Sequence, residues 1–167
     1  DDYYLLIGRL IDRKGYSIAQ QVCEKIGKRL IVAGQGDFSG YGEYVGVVGV
    51  EERGRLTSKA KAVFVPTTYL EPFGGVHAEA LLCGTPVIAT NFGVFTETVT
   101  NGFNGQRCDV FKDFLDAVTW VESLDEKHRK KIRKDAQSRY SMNEVAKLYD
   151  SYIHRIMDLS SDGWYTV

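Results

Sequence analysis

Two glutamates, Glu71 and Glu79, stand either side of Pro72-Phe73-Gly74-Gly75, in a stretch that runs from Pro66 to Pro86. From Phe73 to Gly84 only His77 and Glu79 are polar, the pattern of a helix buried on most sides. Pro72 suits the entry to such a helix, and Gly74 and Gly75 let an external group approach the N–H donors of its first turn. Those donors and the positive end of the helix dipole favour an anion or a sugar oxygen. A carboxylate at Glu79 in an apolar setting is costly unless something satisfies it. A partner arginine or backbone amides would do so, and so would ligand hydroxyls. Glu71, ahead of the helix, can face the same cavity, and two acids at one helix start point to function.

Other segments carry weaker signals. Arg9 and Lys14 leave the first apolar run together in Gly8-Arg9-Leu10-Ile11-Asp12-Arg13-Lys14-Gly15, where two cations can grip a diphosphate or simply lie in a solvated loop. Gly34-Gln35-Gly36 is followed by Asp37-Phe38-Ser39-Gly40, which cannot open a helix, so the dinucleotide fingerprint fails. Asn91 to Glu97 follows another apolar run, with Thr96 and Glu97 either at the ligand edge or exposed. His77, His128 and His154 have no partner spacing that suggests a triad or a metal, and there is no Gly-x-Ser-x-Gly elbow or HExxH.

These segments need a scaffold. Buried strands are expected at 3–7, 30–33, 62–65 and 87–90, with weaker ones at 45–50 and 106–108. Helices are expected at 17–26, 51–61, 73–83, 95–100, 111–123, 126–139 and 143–158. Continuous apolar strands alternating with helices indicate an α/β fold, a Rossmann-like doubly wound parallel sheet of about six strands with helices on both faces. Ligands of such sheets sit outside the carboxyl ends of the strands, and each segment above follows a strand. The run 125–135, with six basic and three acidic residues, reads as a solvated helix face; attraction to an acidic membrane surface is the alternative.

The 167 residues suit one domain over 1–167. Seventeen glycines against three prolines suggest close backbone approaches rather than linkers. A net charge of −1 shows no basic excess for nucleic acid. Three cysteines without CxxC spacing fit neither a disulfide framework nor zinc, so a reducing, cytoplasmic setting is expected. The chain starts at Asp1 almost directly on a strand, and a piece of a longer protein is expected.

Taken together, the segments resemble the C-terminal, donor-binding domain of retaining GT-B glycosyltransferases of group 1, family four. The likeness runs nearly end to end. It covers Gly8-Arg9-Leu10 with Lys14-Gly15, Leu30 to Gly36, and Val48-Gly49-Val50-Glu51-Glu52. It continues through Glu71-Pro72-Phe73-Gly74, Glu79-Ala80, Cys83 to Ala89 and Asn101-Gly102-Phe103-Asn104-Gly105. The resemblance implies a nucleotide-sugar donor with Arg9 and Lys14 on its diphosphate and Glu79 on its ribose. It places Glu71 as the catalytic residue near the transferred sugar, and the amides of Phe73, Gly74 and Gly75 on sugar or phosphate oxygens. It implies no cofactor and no metal, which agrees with the lack of Asp-x-Asp. The acceptor site would lie on the enzyme's own N-terminal domain, absent here, with membrane-surface association of the full enzyme left open. A non-catalytic nucleotide-sugar-binding or scaffold module is the alternative. Two departures stand out: Gly75 replaces a bulky aliphatic residue, and Gly93-Val94-Phe95-Thr96-Glu97 replaces Gly-Gly-x-x-Glu.

Overall fold

The computed structural model describes residues 2–161. The strands are β1 (Tyr4–Ile7), β2 (Leu30–Ala33), β3 (Glu43–Tyr44), β4 (Val63–Val65), β5 (Val87–Thr90) and β6 (Gly105–Cys108). They form one sheet in the order β3-β2-β1-β4-β5-β6, every pair parallel. The expected α/β class is therefore the observed one. Strand order reverses between β1 and β4, and the connections on either side leave in opposite directions there. That opens a crevice above the carboxyl ends of these two strands.

The helices are α1 (Tyr16–Lys25), α2 (Val50–Lys59), α3 (Gly75–Leu82), α4 (Phe95–Thr98), α5 (Phe111–Glu122), α6 (Glu126–Tyr140) and α7 (Met142–Ser161). Alternate strand residues feed opposite faces of the sheet. Tyr4, Leu6, Val32, Phe64 and Ile88 pack with Val22 of α1 and Phe114 and Val118 of α5. Leu5, Ile31, Val63, Val87 and Ala89 pack with Leu56 of α2, Leu81 of α3 and Ile132 of α6. Each such side chain stabilises the fold by roughly 1.5–3 kcal/mol, so both faces must be covered at once.

The sequence pattern misplaced two features. The weak strand expected at 45–50 is the two-residue β3 at Glu43–Tyr44. This edge strand is defined by pairing with Ile31 and Val32, not by an apolar run of its own. The helix expected from Phe73 starts at Gly75, because Gly74 caps it in the left-handed conformation at φ 69°. The run 125–135 is largely exposed, as its solvated reading holds, but Arg129 reaches inward. Its guanidinium donates to the carbonyls of Ala60 (3.0 Å), Lys61 (3.2 Å) and Ser58 (3.2 Å) and to Thr85 Oγ1 (2.8 Å). Burial pulls its pKa below the ordinary value, and the clasp ties α6 to the amino-terminal end of β4.

Helix α7 packs on α6 but leaves Leu148, Tyr149, Tyr152 and Ile153 exposed. No helix among the described residues is long and apolar enough to cross a membrane.

Candidate functional site

The crevice between β1 and β4 holds a cavity of about 100 Å³. Its walls are Leu6, Ile7 and Gly8 from β1 and its exit, Phe64, Val65 and Thr67 from β4, and Gly74, Gly75 and Val76 at the start of α3. Lys14, Glu71 and Phe95 complete it. The turn carrying Lys14 must press against the loop after β4. Gly15 makes this possible, since its φ is 67° and a Cβ there would stand 1.9 Å from the Pro66 carbonyl oxygen.

Lys14 Nζ donates to Glu71 Oε2 at 2.8 Å and to the Tyr69 hydroxyl, and that hydroxyl donates to the same Glu71 oxygen. The Gly74 amide also helps to keep the Glu71 carboxylate charged. Burial pushes the Glu71 pKa up, but the Lys14 and Tyr69 hydrogen bonds, the Lys14 charge and the Gly74 amide outweigh it and hold it below the ordinary value. Burial likewise acts to lower Lys14, and its bonds to Glu71 and Tyr69 raise it overall. Both shifts favour the charged pair. The site thus holds a buried, ionised carboxylate and a cation at the mouth of the crevice.

The loop after β5 closes over this group. Val94 N–H donates to the Glu71 carbonyl at 3.0 Å, and Phe95 is buried edge-on to His77, with ring centroids 5.5 Å apart. Thr96 and Glu97 are exposed, as the simpler reading of them holds.

Arg9 is not brought into the cavity wall. It leaves the same strand end as Gly8, is exposed, and forms no ion pair among the described residues. Phe73 lies outside the helix and is 54% exposed, while Gly74 and Gly75 line the cavity.

The largest correction concerns Glu79. Its side chain is 43% exposed and meets Arg53 Nε of α2 at 3.2 Å. Among the two acids, Glu71 is the buried one. Helix α3 buries His77, Ala78, Ala80 and Leu81, whereas Gly75, Val76, Glu79, Leu82 and Cys83 form the less buried stripe. Val76 and Leu82 gave that stripe an apolar look and so concealed it. The same stripe begins at the cavity: Glu79 follows Gly75 by one helical turn, about 6 Å along the axis.

Sequence reasoning missed two groups of the site. Tyr69 links Lys14 to Glu71, and its position two residues before Glu71 was the available signal. Thr67 is 4% exposed, lines the cavity, and has a buried hydroxyl without a hydrogen-bond partner.

The chain is a parallel doubly wound α/β protein with a partly buried ion pair and a helix start at the switch point, where ligands of such sheets sit. The profile of the family "Glycosyl transferases group 1" matches residues 1–139, and the chain belongs to that family. An uncharacterized glycosyltransferase of Methanocaldococcus jannaschii is 30% identical, over 86% of this chain and 42% of that protein. A probable sucrose-phosphate synthase of Thermosipho melanesiensis is 27% identical, over 68% of this chain and 28% of that protein. Among solved structures, AviGT4, a glycosyltransferase involved in avilamycin A biosynthesis, superposes with a TM-score of 0.81 at 25% identity. That match covers 95% of this chain and 52% of AviGT4. Anabaena HepE, solved in complex with UDP-glucose, has a TM-score of 0.78 at 19% identity, covering 93% of this chain and 49% of that one. At that identity the likeness is one of fold. The six-stranded parallel sheet is thus that of GT-B glycosyltransferases, and the chain spans about half the length of these relatives or less.

Proposed function

We propose that this chain is the donor-binding half of a retaining glycosyltransferase that takes its sugar from a nucleoside diphosphate. The observation that carries the reading is the Lys14–Tyr69–Glu71 cluster set against the open amides of α3 at the β1/β4 crevice. Lys14, joined by Arg9 from the same strand end, neutralises the diphosphate as it leaves, and the first-turn amides of α3 receive its oxygens or those of the sugar. These groups do the work that a metal performs in other transferases, so no metal is required. Glu71, kept ionised, faces the positive charge that builds on the sugar ring when its bond to the diphosphate breaks. Glu79 turns from Arg53 to the ribose hydroxyls. The acceptor, whether soluble or at a membrane surface, belongs to a second domain, and the setting is cytoplasmic. Calorimetric titration with UDP, GDP, ADP and their sugars tests the reading. Binding of one nucleotide series is expected, with little transfer by this chain alone. A flat response to all of them from folded protein refutes it and leaves a scaffold role.

A further inference from the structure

His77 is fully buried on the core side of α3. Its Nδ1 lies 2.5 Å from the Gly74 carbonyl oxygen, which also accepts the His77 backbone N–H at 3.0 Å. A carbonyl only accepts, so Nδ1 carries the proton, and Nε2 is left buried without a partner. The rings of Phe73, Phe95 and Tyr140 stand edge-on around the imidazole at 5.5–6.0 Å between centroids. Nothing in this aromatic box offers Nε2 a bond. Among the described residues, the ring's one polar contact is with Gly74.

That contact acts on a particular peptide. The Gly74 carbonyl and the Gly75 N–H belong to the same trans peptide unit, so they point in opposite directions. Holding the carbonyl toward His77, inside the core, turns the Gly75 N–H outward to the cavity that Gly75 lines. Apart from the His77 backbone N–H, which the same carbonyl accepts at 3.0 Å, this unit has little of its own to prevent a flip, since the glycine on each side tolerates positive φ. A flipped peptide would face an incoming anion with a carbonyl oxygen in place of a donor.

We propose that His77 is a positioning residue of the donor site, its ring locking the Gly74–Gly75 peptide with the Gly75 N–H presented to the distal phosphate or sugar. The inference rests on the donor-site reading above, and its test is built to fail separately. In the free protein at pH 7, a long-range proton–nitrogen correlation spectrum is expected to show His77 neutral with its proton on Nδ1. A proton on Nε2 overturns the inference whether or not any nucleotide binds. The Gly75 amide is expected as one sharp signal in the native protein and as a broadened or doubled one in His77→Phe; an unchanged signal also overturns it.

Affinity gives the second readout. His77→Phe keeps the ring contacts and removes the donor, so UDP is expected to bind about tenfold more weakly. UMP, which lacks the distal phosphate, is expected to change less than twofold. His77→Asn can still donate to the Gly74 carbonyl and is expected to restore UDP binding to within about threefold of native. Equal UDP affinity across the folded variants, or a parallel loss of UDP and UMP, overturns the positioning role. If the native protein binds neither nucleotide, the donor-site reading fails, and the two spectra decide the role of His77 alone.

Discussion

Replacing Lys14 with methionine keeps most of the side chain's length and removes its charge from Glu71. The Glu71 side chain is only 10% exposed, and the Lys14 side chain is 25% exposed. The pair therefore lies between two regimes. Exposed pairs are worth about 0–1 kcal/mol, and breaking a fully buried one costs about 3–5 kcal/mol. The Tyr69 hydroxyl and the Gly74 amide stay with Glu71, so a loss of about 2 kcal/mol is expected. For a chain of this size that lowers the melting temperature by roughly 4–8 °C. Calorimetric melts of native, Lys14→Met, Glu71→Gln and the double variant close a thermodynamic cycle.

The pH dependence gives the argument its sign. Glu71 is held below its ordinary 4.5, so its contribution is present above 4.5 and fades as pH falls through the folded value. Lys14 is raised above its ordinary 10.5, so its contribution is present below 10.5 and fades as pH rises through the folded value. The penalty in Lys14→Met is thus expected to be level near neutrality and to shrink in acid. Without the hydrogen bond and charge of Lys14 to offset burial, Glu71 protonates at a higher pH in the variant than in the native protein. A coupling energy under about 0.5 kcal/mol, or a penalty that does not change between pH 7 and pH 4, refutes the reasoning.

Other substitutions separate stability from binding. Glu79→Ala removes an ion pair between two half-exposed groups, so its melting temperature is expected to stay within a few degrees of native. Nucleotide affinity, by calorimetry, is expected to fall by about 1–3 kcal/mol if Glu79 takes ribose hydroxyls. Gly75→Ala works in the opposite direction. Gly75 has no left-handed φ, and a Cβ there meets nothing within 4 Å, so the variant is expected to gain about 0.5–1 kcal/mol in denaturant melts. The added methyl stands at the cavity wall, and weaker binding of the nucleotide sugar than of the free nucleotide is the expected cost.

The order of elements and the edge that carries the site were legible in the chain because both are local signals. Leu30 to Ala33 and Val87 to Thr90 are apolar runs stopped by glycine or polar residues, and they are strands at those bounds. Gly8, Gly34 and Gly74 mark strand exits or helix caps where the backbone departs from regular structure. Alternation of such runs with helices requires a parallel sheet covered on both faces. Lys14 and Glu71 also stood out by charge at strand ends.

Their union did not, because Lys14 meets Glu71 across 57 residues and periodicity reports only neighbours within a turn or two. Likewise, Glu79 looked buried from the composition of its helix, while the sheet and α6 pack against the other sides of α3 and leave its stripe to Arg53 of α2. His77 showed no partner spacing, since its partners are a nearby backbone carbonyl, the ring of Phe73 and two rings, Phe95 and Tyr140, brought from distant elements. Residue types and spacing determined which groups reach the ligand edge. Only the packing of α3 between the sheet, α2 and α6 decided which acid is buried, which cation pairs with it, and which backbone donors are held open.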